Sequence, residues 1–314
     1  MVRIFFITDV HGSDRCFRKF LNAAKVYRAD ALILGGDITG KVLIPLTAQP
    51  DGRYAVRLFG KDTLVKADQL AQVRKELQDA GQYSVVTDAE GVARMEDDPR
   101  RRDEAFNAAI LEVLRSWLTL AEERLAGTGV KCFISPGNDD RFEVDGLLAD
   151  SGHLVNPEGR VVDVGDGHEM ITLGYANPTP WKSPREVSEE RLGEMIEAMA
   201  AQVRKPEEAV YNLHVPPVDT EIDKAPAVSP EFGYVREGLG MKMIHAGSTA
   251  VRAAIEEHQP LLGLHGHIHE SKGFVKIGRT LCLNPGSEYA DGILRGCLVN
   301  LQGGRAKEFL LTSG

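Results

Sequence analysis

Apolar residues cluster in short, nearly unbroken runs that stop abruptly at glycine and at polar, metal-ligand-type side chains. Val2–Thr8 and Ala31–Leu34 are such runs, expected of strands buried on both faces. Between them Ser13 is a candidate N-cap for a helix that places Phe17, Phe20, Leu21 and Ala24 on one face. Strand, helix and strand in that order predict a βαβ unit with parallel pairing.

From about Thr39 to Gly129 the pattern weakens. Lys66–Ala80 reads as an amphipathic helix, and Ser84–Met95 as a hairpin turning at Asp88-Ala89-Glu90-Gly91. Asp103–Leu125 reads as a long helix with Ile110, Leu114, Trp117, Leu118 and Ala121 along one side. Buried-strand composition returns at Val130–Ser135. It recurs at Val161–Val164, Met170–Leu173, Ala209–Leu213, Leu261–Leu264, Phe274–Ile277, Thr280–Leu283, Gly296–Leu301 and Lys307–Leu311, with helices at Glu186–Val203 and Thr249–His258. Residues 216–247 form a long irregular connection, and loops of that length usually carry function or are mobile. The expected class is α/β: two packed mixed β-sheets flanked by helices in four layers, with an inserted helical and hairpin segment.

Composition narrows the picture. The chain has 314 residues, 43% of them hydrophobic and 26% charged, with a mean hydropathy of −0.20. That suits a globular protein with a sizeable core. No apolar run approaches the roughly 20 residues of a membrane span, and no leader-like segment precedes the first strand, so a cytoplasmic location without membrane contact is the expectation. Cys16, Cys132, Cys282 and Cys297 are widely spaced and read as small buried hydrophobes. Lys and Arg number 37 against 46 Asp and Glu, a net charge of −9. An acidic chain is poorly suited to nucleic acid, although a bound cation could still draw in a small phosphorylated substrate.

The chemistry lies in five segments, each just beyond a strand: Asp9-Val10-His11, Gly36-Asp37, Gly137-Asn138-Asp139-Asp140, His214, and Gly266-His267-Ile268-His269. Open α/β sheets bind ligands beyond the carboxyl ends of their strands, so these segments can share one site. The i, i+2 spacing of Asp9/His11 and of His267/His269 lets both side chains face one way where the backbone is extended. Gly12, Gly36, Gly137 and Gly266 permit tight turns and close approach. Two aspartates, an asparagine amide and four histidines suit Mn, Fe or Zn better than Ca or Mg. Seven such groups exceed one tetrahedral site and fit two ions sharing a carboxylate.

This combination and order resembles the calcineurin-like metallophosphoesterase superfamily, in particular its Icc-related, small prokaryotic type, which the segment Asn284-Pro285-Gly286-Ser287 also resembles. The resemblance implies a dinuclear phosphoesterase, with Mn favoured. Asp9, His11 and His269 would hold the first metal, Asn138, His214 and His267 the second, and Asp37 would bridge. It implies hydrolysis of a small phosphomonoester, phosphodiester or nucleotide by a metal-bridging hydroxide; the rival expectation is a non-catalytic protein-interaction scaffold of the same fold. The family usually has histidine where this chain has Asp139, a residue expected to be ionised beside cations and a weak proton donor. Asp140 would orient a neighbour, and Arg141 is a candidate phosphate contact.

His245 is a candidate for the missing proton donor, and Ser287 reads as a turn residue. His153, His168 and His258 are expected in solvent, and Trp181 either lines the pocket or packs. Because Asp9 and His269 must meet, residues 1–314 are expected to form one catalytic domain with 40–129 inserted in it. The insertion and the 216–247 loop would wall the site or mediate self-association into a homo-oligomer.

Overall fold

A computed structural model describes residues 1–58, 60–148, 153–238 and 240–314. Two six-stranded sheets form the frame. The first runs in the order Arg305–Ser313, Arg295–Gln302, Val2–Ile7, Ala31–Gly35, Lys131–Ser135, Leu154–Val155. Its four strands from Val2–Ile7 onward are parallel, and the two C-terminal strands close the edge antiparallel. The second runs Gly273–Ile277, Thr280–Asn284, Leu262–Leu264, Val210–Leu213, His168–Leu173, Val161–Gly165, parallel in the middle and antiparallel at both edges.

The apolar runs explain the layering. Along the first strand Ile4 and Phe6 point into a core shared with Met170, Val210, Leu262 and Leu283 of the second sheet. Phe5 and Ile7 point the other way, into a core with helices α1 (Asp14–Val26) and α4 (Pro99–Leu125). Tyr211 and Leu213 likewise turn from the second sheet to α5 (Glu189–Ala200) and α6 (Thr249–His258). A strand covered on both sides has no polar face to alternate with, so its sequence reads as continuously apolar. The result is the expected four-layer α/β sandwich.

Residues 42–97 build a third, four-stranded sheet in the order Lys61–Val65, Tyr54–Leu58, Val42–Ala48, Gln82–Thr87. Leu46, Val56 and Val65 pack there with Val73 and Leu77 of α2 (Leu70–Asp79) in a small core of their own. The hairpin expected at Ser84–Met95 is absent. Gln82–Thr87 is one strand and α3 (Ala89–Asp97) follows, because Asp88 accepts from the Gly91 amide at 2.7 Å and caps a helix instead of turning a hairpin. A hairpin does occur in this region, between Tyr54–Leu58 and Lys61–Val65. Helix α4 leaves the third sheet and returns to the sandwich, where Trp117 stacks on Phe17 with ring centroids 4.2 Å apart.

All four cysteines are free and buried. His168 departs from its expected solvent exposure: it is buried, and its Nδ1 lies 2.9 Å from the Glu208 carbonyl oxygen. No helix among the described residues is long and apolar enough to cross a membrane.

Candidate metal centre

The parallel strands of both sheets end at one edge of the sandwich, and their terminal loops bring the seven ligand-type side chains together. Asp9, His11, Asp37, Asn138 and His214 are almost completely buried. The Asp9 carboxylate lies 3.3 Å from His269 Nε2 and 3.9 Å from both His11 Nε2 and His214 Nε2. Asp37 lies 3.4 Å from His214 Nε2 and 3.6 Å from His11 Nε2. His267 Nδ1 is 2.8 Å from Asn138 Oδ1, and its ring centroid is 5.5 Å from that of His214. One coordinating atom each of Asp9, His11 and His269 falls within 4.8 Å of the others; the same holds for Asp9, Asp37 and His214, and for His11, Asp37 and Asp139.

The backbone achieves this by a different route from the extended i, i+2 geometry expected. Asp9, His11, Asp37 and His267 all have positive φ, at 54°, 38°, 49° and 66°. They are four of the ten described non-glycine residues in that region, where each costs about 1 kcal/mol or more. Strain gathers where the strands give way to ligand loops. The glycines make the approach feasible: a Cβ on Gly137 would sit 2.2 Å from the Asp37 amide nitrogen, and one on Gly266 would sit 2.4 Å from Asp9 Oδ2.

Hydrogen bonds fix the rings. The Gly35 carbonyl oxygen lies 3.0 Å from His214 Nδ1, and the Thr39 carbonyl oxygen lies 3.2 Å from His11 Nδ1. A carbonyl only accepts, so each Nδ1 carries a hydrogen and each Nε2 is the nitrogen turned inward. His214 Nε2 is buried without a hydrogen-bond partner, and His11 Nε2 faces His269 Nε2 at 3.1 Å. Imidazole nitrogens gathered around two buried carboxylates form a centre suited to positive charge.

The electrostatics of the buried groups agree. Burial alone would raise Asp9 and Asp37, but His214 together with His269 at Asp9, and with His11 and Lys41 at Asp37, holds both carboxyls well below the ordinary range. Burial opposes protonation of His214 as well, yet Asp37 and Asp9 raise it to about 10. A proton on His214 thus supplies charge that a cation would otherwise supply. The donor set and the orphaned Nε2 both fit divalent metal ions.

Asp140 is the scaffold of this edge. Fully buried, it accepts from the amides of Ile38, Thr39 and Gly137 at 3.0, 2.8 and 2.7 Å and from Thr39 Oγ1 at 2.6 Å. It clamps the Asp37 loop to the Asn138 loop; burial, then Asp37, raises its carboxyl to about 6. The Asn284 segment does the same for the other side. Asn284 Nδ2 donates to the Gly266 and Ile268 carbonyls at 3.3 and 3.0 Å, and Ser287 Oγ donates to the Asp9 carbonyl at 2.7 Å. Ser287 therefore ties Asp9 into the site, more than a turn residue would.

Other expectations fall elsewhere. Arg141, the candidate phosphate contact, has its guanidinium paired with Asp103 at 2.6 Å and 4.9 Å over the Phe106 ring, both on α4. His245 pairs with buried Asp223 at 2.7 Å, and His258 with Glu197 at 2.9 Å. Trp181 is 57% exposed and stacks on Phe232 of the long loop at 5.1 Å. Three residues at the mouth escaped the sequence reading. Lys41 Nζ pairs with Asp139 Oδ2, Ser183 Oγ donates to Asp139 Oδ1, and the Tyr289 ring lies 4.7 Å from that of His11. None of them belongs to a recognisable motif; Tyr289, two residues after Ser287, had proximity as its one signal.

No protein-family model matches the chain. Over 152 residues it is 30% identical to the uncharacterized protein MJ1162 of Methanocaldococcus jannaschii, a match covering 48% of this chain and 61% of that relative. Among solved structures, one crystal structure superposes with a TM-score of 0.57 at 18% identity, covering 95% of this chain and 94% of the other. The protein TT1561 of Thermus thermophilus superposes at 0.54 with 14% identity, covering 100% and 98%. At these identities the likeness is one of fold alone, a layered α/β sandwich.

Proposed function

We propose that this chain is a metal-dependent phosphoesterase acting on a small phosphomonoester, phosphodiester or nucleotide. The observation that carries the reading is the convergence of seven buried or half-buried N and O ligand groups, drawn from residues 9 to 269, around two buried carboxylates and a His214 Nε2 without a hydrogen-bond partner. Asp9, His11 and His269 would hold one ion and Asn138, His214 and His267 the other, with Asp37 between them. Bound divalent ions would supply an activated water and positive charge for the phosphoryl oxygens.

The protein's own contribution is placement. Gly35 and Thr39 carbonyls set the histidine tautomers, and Asp140 and Asn284 hold the loops. The sandwich keeps the ligands dry, so that charges interact strongly. No serine or cysteine nucleophile is needed. Because both sheets donate ligands, residues 1–314 act as one catalytic unit in this reading, with the third sheet as an elaboration. Two ions, Mn²⁺ foremost, are the expected cofactors, and the compartment is the cytoplasm.

The test is turnover of bis-p-nitrophenyl phosphate by purified protein loaded with Mn²⁺, compared with monoesters and cyclic nucleotides. Hydrolysis that disappears on chelation and returns with metal is expected. A protein that binds two ions and hydrolyses none of these esters would be a scaffold of this fold.

A further inference from the structure

At the mouth of the centre, where the resemblance leads one to expect a histidine facing phosphate, this chain has Asp139. An ionised aspartate there would repel the substrate, yet it is not bare. Its Oδ2 is paired with Lys41 Nζ, and its Oδ1 accepts from Ser183 Oγ and from Asn138 Nδ2, the latter at 3.3 Å. Its own amide donates to Asp37 Oδ1 at 3.0 Å. A carboxylate oxygen of Asp139 also lies within 4.8 Å of ligand atoms of Asp37 and His11. The Lys41 ammonium therefore stands one residue away from the bridging position.

The arm that carries this ammonium is anchored. Ile38 and Thr39 donate their amides to Asp140, and the Gly40 amide donates to Tyr83 Oη at 3.0 Å. The Lys41 side chain is half exposed, so its outer face meets whatever enters. The neighbouring guanidinium groups are already committed, Arg141 to Asp103 and Arg185 to Asp145 and to the Asp140 and Arg141 carbonyls.

We propose that Lys41 is the protein's phosphoryl contact, and that Asp139 serves to cancel local charge and to aim the Lys41 ammonium at the substrate. A lysine has three donors on one cationic head. Asp139 occupies one, which leaves two for phosphoryl oxygens. This rests on the phosphoesterase reading of the same site and assigns its substrate-binding cation.

The experiment measures inorganic phosphate binding by titration calorimetry on Mn²⁺-loaded wild type, Lys41→Gln and Lys41→Arg, with metal content and thermal midpoint recorded for each. Lys41→Gln should weaken phosphate about tenfold or more, as loss of a charge-assisted hydrogen bond would, while Lys41→Arg stays within about threefold and both keep their metal. Independently of any variant, phosphate should protect Lys41 of the wild type from acetic anhydride, read by peptide mass spectrometry. Unchanged or tighter phosphate binding by Lys41→Gln, loss of its metal, no phosphate binding by the wild type, or unprotected Lys41 would each overturn the assignment. Ester turnover followed in parallel separates the two claims. Lys41-dependent phosphate binding without turnover removes the esterase reading alone, and turnover with Lys41-independent binding removes this one alone.

Discussion

The two large sheets and the third sheet solve the same problem, hiding apolar surface, to different depths. Val2–Ile7, Ala31–Gly35 and Val210–Leu213 are sealed between the opposing sheet and a helical layer, with almost every position buried. Lys61–Val65 exposes all but its last residue, and Tyr54–Leu58 buries only Val56. The sealed strands end in loops under strain, at Asp9, His11, Asp37 and His267. Four left-handed residues close together are over-determined by a rigid surround, and the sandwich offers one. That is a physical reason for the ligands to gather there and for the third sheet to carry none of them.

The sharpest break of that contrast is chemical. Asp37→Asn should lose metal and reduce kcat/KM by about three orders of magnitude or more, yet remain folded. Asparagine tolerates the positive φ of 49°, and its carbonyl oxygen can still accept from the Asp139 amide. Metal analysis, steady-state kinetics and urea unfolding on the one variant check the three parts. Activity and metal content equal to wild type would remove Asp37 from the bridging position. Val56→Ala, in the third sheet, should leave metal content untouched.

A second break is energetic, and it asks to which region α4 belongs. Trp117 is fully buried, stacked on Phe17, and donates from Nε1 to Asp14 at 2.9 Å. Trp117→Ala should cost about 3–5 kcal/mol in urea unfolding, against about 1–2 kcal/mol for Val56→Ala. Equal costs would mean that α4 is a loosely attached part of the elaboration and not a wall of the sandwich.

The same difference decided what could be read in advance. Strands sealed on both faces are legible because nothing polar interrupts them, and the D-x-H and G-H-x-H segments that follow were legible because ligand chemistry restricts residue type. Val42–Ala48 and Tyr54–Leu58 went unseen because a small, one-sided core leaves only scattered buried positions such as Leu46 and Val56. The sequence of Ser84–Met95 suits a hairpin as well as a strand and helix, because Asp88 favours both a turn and a helix cap, and in the fold α3 packs on α4. Lys41 and Ser183 were invisible for another reason. Their meaning lies in a tertiary contact with Asp139, and neither the spacing from Asp37 nor the forty-odd residues between Asp139 and Ser183 encodes it.

The smallest effect expected concerns how much frustration the sandwich edge bears. Glu158 is half-buried and accepts the Gly174 amide on both carboxylate oxygens, at 3.1 and 2.9 Å. Gly174 in turn is pressed against Pro136 beside the Asn138 loop. Burial raises the Glu158 carboxyl from its ordinary 4.5 to about 7, with the Gly174 hydrogen bonds recovering only part of the cost. A raised carboxyl means that the folded state holds its proton after the unfolded chain has released it. Stability from this group is therefore complete below pH ~4.5, declines as pH rises toward 7, and is absent above that. Glu158→Gln cannot ionise and keeps one acceptor for Gly174. Its unfolding free energy should match wild type near pH 4 and exceed it by about 1–2 kcal/mol at pH 8. Asp62→Asn, on the exposed strand of the third sheet, is the control and should change stability by less than ~0.5 kcal/mol. A Glu158→Gln variant no more stable than wild type at pH 8 would mean that this carboxylate is solvated, and that the edge of the sandwich near the Asn138 loop is as open to water as the third sheet.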